Sequence, residues 1–288
     1  MENSLEVYKS NSLVEASYRL TPAEQCIILS CISQIRKDEK ITDETMYKVS
    51  VWDYINLTGA DRGTAYRDMR DAAERLDGRR VRIYELPNGE GRVKNKGRML
   101  KVGWVQTIAY SDGCGEVELR FNRDMLPYLT NISNNFTTYN LKDVAKMSSS
   151  FGIRLYELLV EWKDKYKTTE QEISVEQLRK LLQITGSYAA IKDLKKRVLE
   201  PAIADVNAHS NIQVSWEQKK TGRRVSHLKF IFKLKKDKSK PKKKEQLNLS
   251  GSRVLGIDKA IIEKNARLGE TYQQAAIRII NEGKKEPA

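Results

Sequence analysis

The chain carries an internal duplication. The stretch VSVWDYINLTG, starting at Val49, has a counterpart in ISVEQLRKLLQITG, starting at Ile173. Downstream, YRDMRD from Tyr66 has a counterpart in IKDLKK from Ile191. The two stretches begin 17 residues apart in the first copy and 18 in the second, so the second copy keeps the spacing of the first to within one residue. A repeat of this length is one supersecondary unit occurring twice, and the fold follows once the unit is recognised.

The first copy reads as three helices and then strands. In LTPAEQCIILSCISQIRK, Thr21 suits the N-cap, Pro22 the first helical position, and Glu24 completes a capping box. VWDYINLTG follows Ser50 as a short second helix. The third, TAYRDMRDAAERLDG, puts Tyr66, Met69, Ala73 and Leu76 on one face and ends before Gly78. RRVRIYEL, the turn PNGEGRVKNKG, RMLKVGWVQTIAYS as one strand, the turn DGCG and EVELRFN complete the copy. Helices followed by a β-hairpin are the order of a winged helix.

After FNRDMLPYLTN the order recurs. Ser148 to Ser150 can cap FGIRLYELLVEWKDKYK, read as a long amphipathic helix. ISVEQLRKLLQITG is the second helix and SYAAIKDLKKRVLEPAIADVNAHSN the third. NIQVSWEQ, the turn KKTGRRVS and HLKFIFKL form the hairpin. The expectation is an α+β protein of two tandem winged-helix domains, residues 11–146 and 147–234. A basic flexible linker, 235–252, and a helical or partly disordered tail, 253–288, follow. In the tail Ile261, Ile262, Ala266, Ala276, Ile279 and Ile280 flank a break at Gly269; this suits either a segment ordered on a partner or a marginal appendage.

Charge narrows the partners. The formal net charge is +14 and the pI about 9.5, which points to a polyanion, either nucleic acid or an acidic membrane surface. Seven Lys and one Asp between Lys235 and Lys244 account for +6 of it, leaving +8 elsewhere. No apolar run approaches the ~18 residues of a membrane span, and MENSLEVYKSNSLVEASY has no signal-peptide core. A soluble, cytoplasmic protein without a membrane partner is expected. Three cysteines fit a reducing compartment. Cys26 and Cys31 stand about 140° apart around a helix and suit the core better than a metal.

The third helix of the second copy has the pattern of a DNA-reading helix. At 100° per residue from Tyr188, Ile191, Leu194, Val198 and Ala202 form an inward stripe. Ala189, Lys192, Asp193 and Lys196 face outward, flanked by Tyr188, Lys195 and Arg197. One apolar face docks on the domain and one polar face enters the major groove. The turn TGS, with Ser187, would offer a helix N-terminus to a phosphate. Pro201 cannot donate to the carbonyl of Arg197, so a kink is expected there. The same lysines also suit an ordinary solvated face. The hairpin favours DNA, because Lys219, Lys220, Arg223 and Arg224 gather at its tip. In the first copy residues 65–77 carry net −1, against +2 for 188–200. The second domain is therefore expected to be the main reader. The first is expected to make protein contacts, with secondary DNA contacts from Arg62, Arg67 or the loop GRVKNKGR.

Catalytic signatures are missing. There is no G-x-x-x-x-G-K-[ST] phosphate loop. His209 and His227 are the only histidines, eighteen apart, unlike the closely spaced pair of metal-dependent nicking initiators. Asp112 beside its turn superficially suggests a polymerase hairpin, but a wing strand is the better reading. No cofactor or metal is called for.

Three motifs carry a family likeness: NSLVEASYRLTPAEQCII, FGIRLYELLVEW and LKKRVLEPAIADVN. In this order they resemble the initiator (Rep) proteins of iteron-containing, theta-replicating plasmids, from about Asn11 to Leu234. The resemblance implies two winged-helix domains binding double-stranded DNA. It implies monomers on directly repeated origin sites, opening of adjacent AT-rich DNA, and recruitment of host helicase and host initiator. It further implies homodimers joined through the first domain, bound to an inverted-repeat operator and repressing their own gene, and chaperones that promote the monomer. The recognition helix would be Tyr188 to about Asn207. Asp193 on its outer face departs from a simple phosphate-binding pattern. A winged-helix repressor without initiator activity is the alternative.

Overall fold

A computed structural model describes residues 5–36, 41–84, 99–130, 132, 135–235, 253–265 and 270–283. The chain opens with strand β1 (Glu6–Ser10) and a one-turn helix α1 (Asn11–Val14). Helix α2 (Pro22–Ile32) begins where the sequence placed it. Thr21 Oγ1 accepts from the Glu24 amide at 3.3 Å, and the Glu24 carboxylate accepts from the Thr21 amide at 3.0 Å. Cys26 and Cys31 are buried in α2, and burial pushes the Cys26 thiol up to about 12.

Strand β2 (Tyr47–Ser50) leads into α3 (Val51–Thr58), which is capped by Ser50 and ended by Gly59 at φ 77°. Helix α4 (Arg62–Leu76) starts two residues earlier than TAYRDM suggested, because Asp61 serves as its N-cap and accepts from Thr64. Ala65, Met69, Ala72, Ala73 and Leu76 form its buried face.

The segment RMLKVGWVQTIAYS is not one strand. It divides at the buried Trp104 into β4 (Leu100–Gly103), paired with β3 (Arg80–Ile83), and β5 (Val105–Ser111), paired with β6 (Glu116–Phe121). Trp104 donates its amide to Arg79 and accepts from Asn122, so its backbone leaves one sheet and enters another. The ring of Tyr18 packs on it edge-to-face at 4.9 Å. A 3₁₀ helix, Arg123–Tyr128, leads to β7 (Phe136–Asn140), which pairs antiparallel with β1.

Helix α5 (Ser150–Tyr166) is capped by Ser149. It was expected to be amphipathic; instead every residue from Phe151 to Trp162 is buried. The helix is covered on all sides, by α1, α2 and β7 from one module and by the last helix of the second module. Its charged residues tolerate this because they are paired. Glu157 accepts from Lys9 of β1 at 2.5 Å, from Tyr139 of β7 at 2.6 Å, from Arg154 at 2.7 Å and from Tyr18 at 3.1 Å. Arg154 also donates to the carbonyls of Val14 and Ala16 at 2.7 and 2.9 Å. Burial raises the Glu157 carboxyl, but the charges of Lys9 and Arg154 outweigh it and hold it at about 2. NSLVEASY and FGIRLYELLVEW are thus two halves of one buried polar network.

The second module repeats the first. Strand β8 (Glu170–Ser174) precedes α6 (Val175–Leu181), capped by Ser174 as α3 is by Ser50. Helices α7 (Ile191–Leu194) and α8 (Glu200–His209) are joined by a π turn, Lys195–Leu199, and β9 (Ile212–Thr221) and β10 (Arg224–Leu234) form the hairpin. The sheet orders, β2-β6-β5 and β8-β10-β9, are the same: the short strand before the second helix pairs with the last strand of the wing. Close packing of α5 on α8 depends on Gly152, where a Cβ would lie 3.0 Å from Cβ of Asp205.

Residues 5–235 share one core, and residues 236–288 fall in a separate unit. In that unit a small hairpin, β11 (Arg253–Val254) with β12 (Ile257–Asp258), is followed by α9 (Lys259–Asn265) and α10 (Tyr272–Gly283). Val254, Ile262, Ala275 and Ala276 form its core; Ile261 is half exposed, and Ala266 and Gly269 lie outside the described residues. The turn PNGEGRVKNKG and most of the basic linker also lie outside them. Among the described residues, no helix is long and apolar enough to cross a membrane.

Candidate nucleic-acid interface

The helix of the second module starts at Ile191, not at Tyr188. Tyr188 has φ 51°, outside the helical region, and Gly186 before it has φ 86°. Arg179 of α6 holds the loop in this shape by donating to the carbonyls of Ser187 (2.5 Å), Tyr188 (2.6 Å) and Ala189 (3.3 Å). The Tyr188 ring packs edge-to-face on Phe151 of α5, with centroids 6.4 Å apart. Ser187 therefore belongs to a clamped loop and not to a helix N-terminus; the N-cap is Ala190, which makes no side-chain cap bond. Sequence reasoning missed Arg179, whose only local signal was the TGS turn that it holds.

The disturbance at Pro201 takes the form of the π turn. Glu200 donates to the carbonyl of Lys195, five residues back, and Pro201 stands in the first turn of α8, so the ladder widens where its missing N–H would break it. The widening also turns Val198 and Leu199 inward together, both buried with Leu194, Ala202 and Val206. Ile191 is half-buried. The apolar stripe read from the sequence is present, with Leu199 added by the extra residue in the turn.

The outward face carries Lys192, Asp193, Lys196 and Arg197, all exposed and without side-chain partners among the described residues. Ala189 is exposed in the clamped loop. Lys195 is fastened to the wing: its ammonium donates to Gln218 and lies 5.6 Å from the centre of the Trp216 ring on β9. The wing turn is tighter than KKTGRRVS suggested. Lys219 and Lys220 lie within β9, which ends at Thr221; Arg224 starts β10, and only Gly222 and Arg223 form the turn. Gly222 has φ 61°, as the first central residue of a type II′ turn requires. Lys219 pairs with Glu172 of β8 and holds that carboxyl below its usual range. Lys220, Arg223 and Arg224 are exposed and unpaired among the described residues.

The arginines of α4 are engaged internally. Arg62, the first residue of α4, lies 5.6 Å from the Trp52 ring and 5.7 Å from the Tyr66 ring. Arg67 is beside Asp68 at 3.6 Å. Arg70 pairs with Asp112 in the wing turn, and Arg75 pairs with Glu24 at 2.9 Å. Glu24 also takes Arg79; despite burial, its bonds from Arg79, Thr21 and Arg75 keep its carboxyl low. The loop GRVKNKGR lies outside the described residues. No group of three or more His, Cys, Asp or Glu among the described residues is placed to hold a metal ion.

Two family models match this chain in order: Initiator Replication protein, WH1, over residues 6–160, and Initiator Rep protein, WH2, over residues 174–232. The chain belongs to the initiator replication protein family. As a Rep protein it is a DNA-binding replication initiator, and its two modules are the WH1 and WH2 domains of that family. An Escherichia coli replication initiation protein is 26% identical over 258 residues, covering 88% of this Rep chain and 78% of the relative. The Escherichia coli PI protein is 26% identical over 256 residues, covering 80% and 83%. A crystal structure of Pi initiator protein in complex with iteron DNA superposes with a TM-score of 0.66 at 20% identity, covering 82% of this chain and all of that one. That likeness establishes the tandem winged-helix fold.

Proposed function

We propose that this chain initiates plasmid replication by binding directly repeated origin sites as a monomer, with the second module as the main reader. The observation that carries this reading is the division of charge between the modules. Lys192, Lys196 and Arg197 on the third helix, with Lys220, Arg223 and Arg224 on the wing, have no internal partners among the described residues, whereas Arg67, Arg70 and Arg75 of α4 are paired. Free cations on a helix and an adjacent wing suit a major groove and its phosphate rim. Lys195, Lys219, Tyr188 and Ser187 shape that surface, Ala189 leaves room beside it, and Arg62 and Arg67 supply secondary contacts. The iteron DNA bound by the Pi initiator in its crystal structure supports the same partner.

Origin opening draws on binding and bending energy from several copies, and host helicase, host initiator and chaperones complete the process. Homodimers form through the first module, where Trp52 is 57% exposed, and repress the chain's own gene at an inverted repeat.

The test is selection of sites from random and plasmid-derived DNA, then footprinting. Direct repeats of about two helical turns beside an AT-rich stretch are expected. A lone inverted repeat would instead make the chain a repressor. Lys192→Ala/Lys196→Ala should lower affinity for the selected site by about thirtyfold or more, since two specific contacts at roughly 1–3 kcal/mol each total about 2–6 kcal/mol. Unchanged affinity would remove the helix from the interface.

A further inference from the structure

A second basic surface lies at the junction of the two modules, formed by residues other than those on the outer face of the third helix and the wing. Two adjoining hollows of about 370 and 410 Å³ share Arg82 and Gln183. One wall is the β3–β4 hairpin of the first module, with Arg80 and Arg82 on β3 and Lys101 on β4. The other is the end of α6 and the turn after it, with Lys180, Gln183 and Thr185. Arg19 closes one end, its guanidinium over the Phe151 ring at 5.4 Å.

The charge is one-sided. Among the described residues no carboxylate lines either hollow. Arg79, at the base, shares the buried Glu24 with Arg75. Arg19, Arg80, Arg82, Lys101 and Lys180 form no ion pair among the described residues; Lys180 rests on the Tyr84 ring at 3.9 Å. Five unneutralised cations around one cleft repel one another, so the fold alone gives no reason to gather them. The walls are also fixed to each other: Ser17 exchanges backbone hydrogen bonds with Arg82, and its hydroxyl donates to the carbonyl of Lys180 at 2.6 Å. The cleft is a built feature and not a chance meeting of surface side chains.

We infer that this cleft binds the phosphodiester backbone of the DNA that the third helix reads. The inference rests on the DNA-reading role proposed above. The α6–α7 turn forms one wall and runs directly into the clamped loop and the third helix. A duplex seated on that helix carries a phosphate rim past the residues just N-terminal to it. The cations meeting that rim from the opposite wall belong to the first module. One strand of backbone would therefore be gripped by both modules at their junction, independent of base sequence.

The test uses the full chain with Arg80→Gln/Arg82→Gln/Lys101→Gln, whose side chains hold no other element together. Affinity for the selected site is measured against salt, beside Lys192→Ala/Lys196→Ala. Each phosphate contact contributes about 0.9 to the slope of log affinity against log salt, so losing three lowers the slope by about 2.7. The wild-type advantage should then shrink about fortyfold between 50 and 200 mM salt, while the preference for the selected site over other sequences is kept. In a second arm, single methylphosphonates are walked through the site. At positions in the cleft they should weaken wild type and leave the triple variant indifferent. An unchanged slope in a variant that unfolds like wild type would overturn the inference and leave the reading of the third helix standing. Protection of the cleft by inorganic phosphate, without any methylphosphonate effect, would make it a small-anion site and also overturn it. If wild type selects no DNA, both readings fall.

Discussion

Replacing Glu157 by Gln should unhinge the centre of the molecule. The carboxylate takes four hydrogen bonds, and among the described residues it is the only anion paired with Lys9 and Arg154 in the network it forms with Tyr18 and Tyr139. The side chains of Lys9, Arg154 and Glu157 are 1%, 2% and 1% exposed. The glutamine leaves two buried cations without a counter-charge and turns an amide N–H₂ towards donors. Removing one partner of a buried pair costs about 3–5 kcal/mol. A second route gives a similar figure. The carboxyl sits at about 2 in the fold against an ordinary value of 4.5, which at about 1.4 kcal/mol per tenfold is on the order of 3 kcal/mol. Because the folded value is the lower one, this stabilisation is present above pH 4.5 and is lost as pH falls towards 2. Denaturant unfolding at pH 7 should show Glu157→Gln destabilised by about 3–4 kcal/mol, and the gap should close between pH 4.5 and 2. A loss under about 1 kcal/mol at pH 7, typical of an exposed pair, or a gap that does not narrow in acid, would refute the reasoning.

Three other outcomes follow from the geometry. Gly115→Ala should cost about 2–4 kcal/mol in denaturant unfolding, because the residue has φ 60° and its new Cβ would lie 2.6 Å from the Tyr66 ring. Arg179→Ala releases three carbonyls of the loop before the third helix; it should cost about 1–2 kcal/mol of stability and weaken DNA binding about tenfold in a titration, although Arg179 is assigned no DNA contact. A chain ending at Lys235 should unfold at the same denaturant midpoint as residues 1–235 of the full chain, since that segment has its own core.

The local grammar of the fold was legible. Thr21, Pro22 and Glu24 announced α2, and Ser50 announced α3, because capping depends on residues within one turn. What depended on distant partners was not. Strands β2 and β8 have four and five residues and are completed by strands about seventy and fifty positions downstream, so neither shows an alternation long enough to read. Arg154, Glu157 and Glu161 made α5 look amphipathic, since a sequence shows the charges but not Lys9 arriving from β1. The third helix was read with its lysines correctly outward, yet its first turn was misplaced. Tyr and Ala are compatible with a helix, and the clamp that prevents one comes from Arg179. The basic cleft went unread because its cations come from four separate stretches of chain.

Helix α5 bears on how such chains can be recombined. A tandem repeat invites the view that its halves are interchangeable cassettes, to be cut between 146 and 147 and rejoined with a relative's second half. In this molecule the cut would part Lys9 and Tyr18 from Glu157, and the Val14 carbonyl from Arg154. A chimera inherits a working core only if its donor supplies the same anion at the same turn of α5. Modules joined this way are expected to be inherited together, and to diversify at the wing and the outer face of the third helix, where a new specificity disturbs nothing on the other side of the joint.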